Sequence, residues 1–317
     1  MIFKKMGTGL ISVGAITALA ACGNSGEETV VSEENPIQVV ATIAQIGEPL
    51  AEIGGELVEV ETVMGPGVDP HVYEPSQSDI QLLQNADVIF YNGLHLEAQM
   101  SDVFNNIDVN AIAVGESIST GDLLEDEEEE GMDDPHIWFD VQLWQQALDT
   151  AVEQLKEMAP KEADLLEENK QAYFEELEEL YTYSTETFAK IPSEQRILVT
   201  AHDAFQYFGQ MNEIEVIGLQ GLSTEAEVGI SDIQSTIETI VDKEVPAVFV
   251  ESSVNDSSIQ AVIEGAAESG LEVELGGTLY SDAMGDAGTE EGTYIGMYRY
   301  NVDTIYDALT ASEEDEQ

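Results

Sequence analysis

The feature that most restricts this chain is one long helical stretch set between two runs of short strands. From residue 140 to about 189 the apolar positions keep helical spacing, with Leu166, Tyr173, Leu177, Leu180 and Phe188 on one face. Pro160 marks a break or a fresh helix start within it. Before it, short apolar runs at 37–43, 57–63, 87–91 and 111–114 alternate with helix-like segments, among them 76–86 with Ser76 as its cap. After it the alternation resumes: strands at 196–200, 215–218, 247–250 and 273–275, helices at 205–211, 231–241, 258–267 and 294–309. A glycine-rich loop is expected over 276–291. Strands alternating with helices imply parallel βαβ units. The expected fold class is therefore α/β, with two lobes, each a mostly parallel sheet flanked by helices, joined by one long linking helix. The chain then divides into an N-terminal lobe over 37–159, the linking helix over 160–190 and a C-terminal lobe with an acidic tail over 191–317.

The first residues read as a targeting signal rather than as part of the fold. Lys4 and Lys5 precede an apolar stretch over 6–20, which closes on Leu19-Ala20-Ala21-Cys22. This is the pattern of a secretory signal peptide, too short and wrongly flanked for a transmembrane helix. The small residues before Cys22 resemble a bacterial lipobox. Residues 1–21 would then be removed, Cys22 would carry a lipid, and residues 22–36 would form an acidic tether to an extracytoplasmic domain. Cys22 is the single cysteine, so no disulfide can form within the chain and no thiolate ligand lies in the folded part. A metal site must be built from histidine and carboxylate.

Charge narrows the partners. Nine Lys and Arg stand against 65 Asp and Glu, a net charge of −56. Such a field repels nucleic acid and anionic membrane surfaces and concentrates cations. Most of these acids are expected to be solvated surface. The run over 124–134 is a block of like charge, read as a solvated loop, with weak cation collection as the alternative.

The chain has only four histidines. His71 follows a Gly65-Pro66-Gly67 break, His136 follows Asp134-Pro135, and His202 follows a strand ending at Thr200. In α/β sheets ligands gather beyond the carboxyl ends of the strands, so the three can converge. Neutral imidazole suits transition metals, and its second ring nitrogen needs an acceptor. Glu251, just after the strand at 247–250, is the candidate acceptor; a solvated or helix-capping glutamate is the alternative. His95, in Asn92-Gly93-Leu94-His95, is read as an ordinary surface histidine.

Several segments carry a family resemblance across nearly all of the chain that would remain after signal removal. They are Pro66-Gly-Val-Asp-Pro-His71-Val-Tyr-Glu-Pro, Asn92-Gly-Leu-His-Leu-Glu97, Asp134-Pro-His136-Ile-Trp-Phe-Asp140 and Val199-Thr-Ala-His202-Asp-Ala-Phe. Later ones are Gln220-Gly-Leu-Ser-Thr-Glu225-Ala-Glu, Val250-Glu-Ser-Ser-Val254, Leu279-Tyr-Ser-Asp282-Ala-Met-Gly and Glu291-Gly-Thr-Tyr-Ile-Gly-Met297. Together they resemble the cluster A-I metal-binding lipoproteins of bacterial ABC importers, in particular the TroA-like branch. The resemblance implies metal ligands at His71, His136, His202 and Asp282 between the lobes. It also implies one divalent ion, Zn2+ or Mn2+, carried as cargo to an ABC permease and its ATPase by a monomeric, membrane-anchored receptor. By spacing alone Asp282 is a turn aspartate in a glycine-rich loop. His202 stands where manganese-dedicated relatives place Glu, and no His-rich loop of the zinc-dedicated kind is present, so either metal fits. Two other readings remain: a zinc hydrolase, against which a fourth ligand at Asp282 and the lack of an H-E-x-x-H motif both count, and a metal-stabilised surface adhesin.

Overall fold

The computed structural model describes residues 31–126 and 131–314. The signal segment and Cys22 lie outside the described residues, as do 127–130 of the acidic loop and the last residues of the acidic tail.

The first half of the described chain builds one sheet. Strands β1 (Ile37–Ala41), β2 (Val58–Thr62), β3 (Val88–Tyr91) and β4 (Asn110–Ala113) lie in the order β2-β1-β3-β4 and pair in parallel throughout. Helices α1 (Ala44–Gly54), α2 (Gln77–Asn85) and α3 (Ser101–Asn106) make the crossovers. The inner strands read as continuous apolar runs, as in Val88-Ile-Phe, because helices cover both faces. Ser76 caps α2 as expected, and the Asp79 carboxylate in turn accepts from the Ser76 N–H, forming a capping box.

Two helices then leave the sheet. Helix α4 (Val141–Met158) starts on Asp140, whose carboxylate accepts from the Gln142 and Leu143 N–H groups. The chain breaks around Pro160 and restarts as α5 (Ala163–Phe188), 26 residues long. This helix packs on α1 and α4 of the first half and on two helices of the second.

The second half holds β5 (Ile197–His202), α6 (Gln206–Asn212), β6 (Glu215–Gln220), α7 (Ile230–Lys243), β7 (Ala247–Glu251), α8 (Ser257–Glu268), β8 (Glu274–Leu279) and α9 (Tyr294–Glu314). β5 pairs with β6 and β7 with β8, both in parallel, and β5 lies beside β7. The structure is thus α/β with parallel sheets flanked by helices, the predicted class.

Two expectations need correction. The loop expected from Gly276 is strand as far as Leu279. The two glycines serve close packing: a Cβ on Gly276 would lie 2.6 Å from the Phe249 ring, and Gly277 takes a φ of +145° with Thr304 of α9 closing over it. The strand expected to end at Thr200 also runs two residues further, so His202 is a strand residue and not a loop residue.

The core explains where the two halves meet. Alternate residues of a strand face opposite sides. Ile197, Val199, Ala201, Val248 and Val250 turn to the small core under α7 and α8. Leu198, Ala247 and Phe249 turn the other way, into a core shared with α1, α4, α6 and α9. By the same alternation Thr200, His202 and Glu251 face the first half of the molecule.

Candidate metal centre

His71, His136, His202 and Asp282 are all buried, at most 4% exposed, and offer donor atoms that lie within 4.8 Å of one another. The structure brings together all four residues singled out in the sequence. His95 stays apart as an exposed residue on the wall of a cleft that opens beside His71.

All three imidazoles point Nε2 inward. His136 Nε2 is 3.3 Å from His71 Nε2 and 3.4 Å from His202 Nε2. Asp282 Oδ1 is 3.3 Å from His136 Nε2, and Oδ2 is 3.3 Å from His202 Nε2 and 3.9 Å from His71 Nε2. A tetrahedral zinc ion with bonds of about 2.0–2.1 Å spaces its donors about 3.3–3.4 Å apart. Among the described residues neither Asp282 oxygen receives a hydrogen bond, although both are buried. A buried carboxylate without donors, facing three imidazole nitrogens, is an arrangement that a cation completes.

A carboxylate stands behind each histidine. Asp134 Oδ1 accepts from the His136 backbone N–H at 2.9 Å and lies 2.7 Å from its Nδ1. Glu251 Oε1 accepts from the His202 N–H at 2.8 Å, with Oε2 2.5 Å from Nδ1. Asp69 Oδ1 accepts from the His71 N–H at 2.9 Å, and its Oδ2 takes the Thr224 hydroxyl at 2.5 Å. A carboxylate on Nδ1 fixes the tautomer that leaves the Nε2 lone pair free for a metal. Glu251 is the carboxylate that the structure sets beside His202. Asp134 and Asp69 escaped the sequence reading, yet the repeated tripeptide Asp-Pro-His at 69–71 and 134–136 was a usable signal. An aspartate side chain that accepts from the N–H two residues on is a local turn, and proline between them fixes the backbone.

The electrostatics follow from burial and these partners. Burial works against a charged His136, but Asp134 and Asp282 outweigh it and push its pKa up to about 9. Burial likewise opposes charge on His202, and Glu251 and Asp282 raise it well above the usual imidazole range. Burial would lift Asp282, but His202 and His136 hold it well below the ordinary carboxylate value. His71 falls to about 3, from burial and, against the pull of Asp282, the repulsion of the other two imidazoles.

The acidic loop is closed at its base rather than free along its length. Glu125 and Asp133 form an antiparallel bridge, the Asp126 N–H donates to the Met132 carbonyl, and the Asp134 N–H donates to the Leu124 carbonyl.

Residues 39–308 match the family described as zinc-uptake complex component A, periplasmic. The chain belongs to this family. Among its relatives, the manganese-binding lipoprotein MntA of Bacillus subtilis (strain 168) is 46% identical over 297 residues, 93% of this chain and 96% of the relative. The manganese ABC transporter substrate-binding lipoprotein PsaA of Streptococcus anginosus is 30% identical over 97% of this chain and 99% of its own. The solved structure of the periplasmic zinc binding protein TroA from Treponema pallidum superposes with a TM-score of 0.84 at 42% identity, covering 87% of this chain and 99% of that one. The family consists of solute-binding proteins for metal uptake, not enzymes. Among the described residues no helix is long and apolar enough to cross a membrane.

Proposed function

We propose that this chain is the extracytoplasmic receptor of a metal ABC importer, taking one Zn2+ or Mn2+ ion as cargo and handing it to the permease. His71, His136, His202 and Asp282 would hold the ion, and Glu251 would orient His202. The single observation that carries this reading is the buried carboxylate of Asp282 facing three Nε2 atoms, 3.3 Å from those of His136 and His202 and 3.9 Å from that of His71. The donor set is chemically apt: three neutral nitrogens and one carboxylate leave a divalent ion with net charge +1. At such a site zinc outcompetes manganese when both are present, whereas availability decides otherwise. The second Asp282 oxygen also lets the site accept an ion that prefers more than four donors.

The ion would lie between lobes at 37–159 and 191–317, joined by the helix at 160–190. A lipid on Cys22 would keep the monomer at the membrane after removal of residues 1–21, and a separate ATPase would supply the energy of import. The acidic surface would raise the local cation concentration without selecting among cations.

The test is elemental analysis of the protein purified from its native medium, followed by Zn2+/Mn2+ competition. Stoichiometric metal that chelator removes without unfolding supports a carrier. Metal that leaves only on denaturation favours the structural, adhesin-like role. Hydrolysis of esters or peptides by the wild type would overturn the receptor reading, since four protein ligands leave no open position for an activated water.

A further inference from the structure

His202 and Glu251 sit on the neighbouring strands β5 and β7, so their mutual position is set within the second half of the molecule. The segment bearing His136 is held differently. Residues 134–139 run as an Asp-Pro-His turn into a single 3-10 turn, Ile137–Phe139. Every carbonyl along it has a partner. Those of His136 and Ile137 accept from Phe139 and Asp140 within the turn, and that of Pro135 accepts from Asn92. The remaining carbonyls are taken by tyrosines of the second half. Tyr207 of α6 donates to the Asp134 carbonyl at 3.1 Å and accepts from the Leu124 N–H at 3.0 Å. Tyr294 of α9 donates to the Trp138 carbonyl at 2.7 Å, and Tyr298 to the Phe139 carbonyl at 2.9 Å. All three tyrosines are fully buried, and burial pushes the phenols of Tyr294 and Tyr298 well above their usual pKa, so they remain donors.

We propose that Tyr207, Tyr294 and Tyr298 are positioning residues for the metal cage. Their hydroxyls transmit the alignment of the two halves to His136, and so set its spacing from His202. The inference rests on the metal-receptor reading above. Its physical basis is the cost of leaving a buried carbonyl without a donor. With all three hydroxyls engaged, His136 Nε2 is fixed against the second half, 3.3 Å from His71 Nε2 and 3.4 Å from His202 Nε2. A displacement of α9 on the permease would withdraw the Tyr294 and Tyr298 donors, and one of α6 the Tyr207 donor, and either would loosen one ligand of the cage. The rings would be unaffected by loss of the hydroxyl. Tyr298 packs 5.5 Å from Phe208 and 6.2 Å from Phe139, contacts that phenylalanine retains.

The test uses Y207F, Y294F and Y298F in the full chain, with two controls. V262A removes methyl groups from the core behind the sheet, and Y173F removes a buried hydroxyl that has no hydrogen-bond partner. The readouts are the rate of metal loss to excess chelator, the visible spectrum of the Co2+-loaded protein, and hydrogen exchange of the 136–140 amides without metal. Each clamp variant should speed metal loss about fivefold, the equivalent of one lost hydrogen bond, shift the Co2+ bands and quicken exchange at 136–140. V262A should lower the urea midpoint yet leave the rate and the Co2+ spectrum unchanged, and Y173F should change neither. Wild-type loss rates and Co2+ spectra in all three clamp variants would overturn the proposal, whatever their stability. A wild type that takes up no metal at all would overturn the receptor reading instead, while exchange at 136–140 still reports on the clamp.

Discussion

The two halves of the molecule hold their histidines by the same device at different range. In the first half the carboxylate lies two residues before the histidine, in Asp69-Pro70-His71 and Asp134-Pro135-His136. In the second it lies 49 residues away, on the strand beside β5. Each carboxylate takes the histidine backbone N–H, and Asp134 and Glu251 also reach the ring. The difference teaches where precision comes from. An Asp-Pro-His turn shapes its own loop, but something else must then aim the loop, namely contacts from the other half. A strand-borne histidine is aimed by the sheet and needs only one neighbour to fix its ring.

The sharpest way to break this comparison is to remove a proposed ligand from each side. H136A, H202A and D282A should each weaken Zn2+ binding on the order of a hundred- to a thousandfold, roughly a quarter of the ~10–16 kcal/mol of a four-ligand site. Competition titration against a chromophoric chelator would show it. Binding unchanged in D282A would remove Asp282 from the ligand set.

The carboxylates come next. E251Q and D134N should each cost about 10- to 100-fold in metal affinity, because an amide no longer fixes the tautomer. E251Q should also lower the unfolding midpoint of the metal-free protein, since its charge balances His202 inside the core. Equal affinities for wild type and both variants would reduce the two pairs to ordinary packing.

A pH series separates protons from metal. His136 and His202 have folded pKa values above the free imidazole value. The stability they lend the metal-free protein is full below about pH 6.5 and is lost as pH rises, for His136 through about 9. His71 runs the other way: with its pKa lowered to about 3, it costs stability as pH falls below about 6.5. Urea midpoints in chelator should therefore fall from pH 6.5 to 9, and the slope should vanish with Zn2+ bound. Calorimetry in buffers of different ionisation enthalpy should show proton release on metal binding at pH 7. A midpoint that rises over that range would contradict the raised imidazole values of His136 and His202.

The smallest effect is expected at the remaining histidine. H95A should change metal affinity less than about twofold, because His95 is exposed and belongs to no donor group.

Much of the fold was legible. Runs such as Val88-Ile-Phe and Ile197-Leu-Val announce buried parallel strands, and Ser76 marks a helix start that the capping box completes. Gly276 and Gly277 misled, because glycine marks both a loop and a strand that another element approaches closely, and only the position of Phe249 and α9 separates the two. In the site, the three clustered histidines stood out through their segments, and Asp282 through family resemblance alone. Asp69 and Asp134 were visible in principle, as each lies in a tripeptide with its histidine. The tyrosines were not, since Tyr294 and Tyr298 lie 156 and 159 residues from the carbonyls they hold.

The sequence by itself determined the local things: strand and helix alternation, the Asp-Pro-His turns, and a metal chemistry limited to histidine and carboxylate by the single cysteine. Short-range sterics and hydrogen bonds suffice for these. Tertiary structure alone decided that four donors separated by up to 211 positions meet within 4.8 Å of one another, and that helices from one half aim a histidine of the other. Those distances depend on how one continuous core packs around both halves, and packing is a property of the whole chain that no single segment encodes.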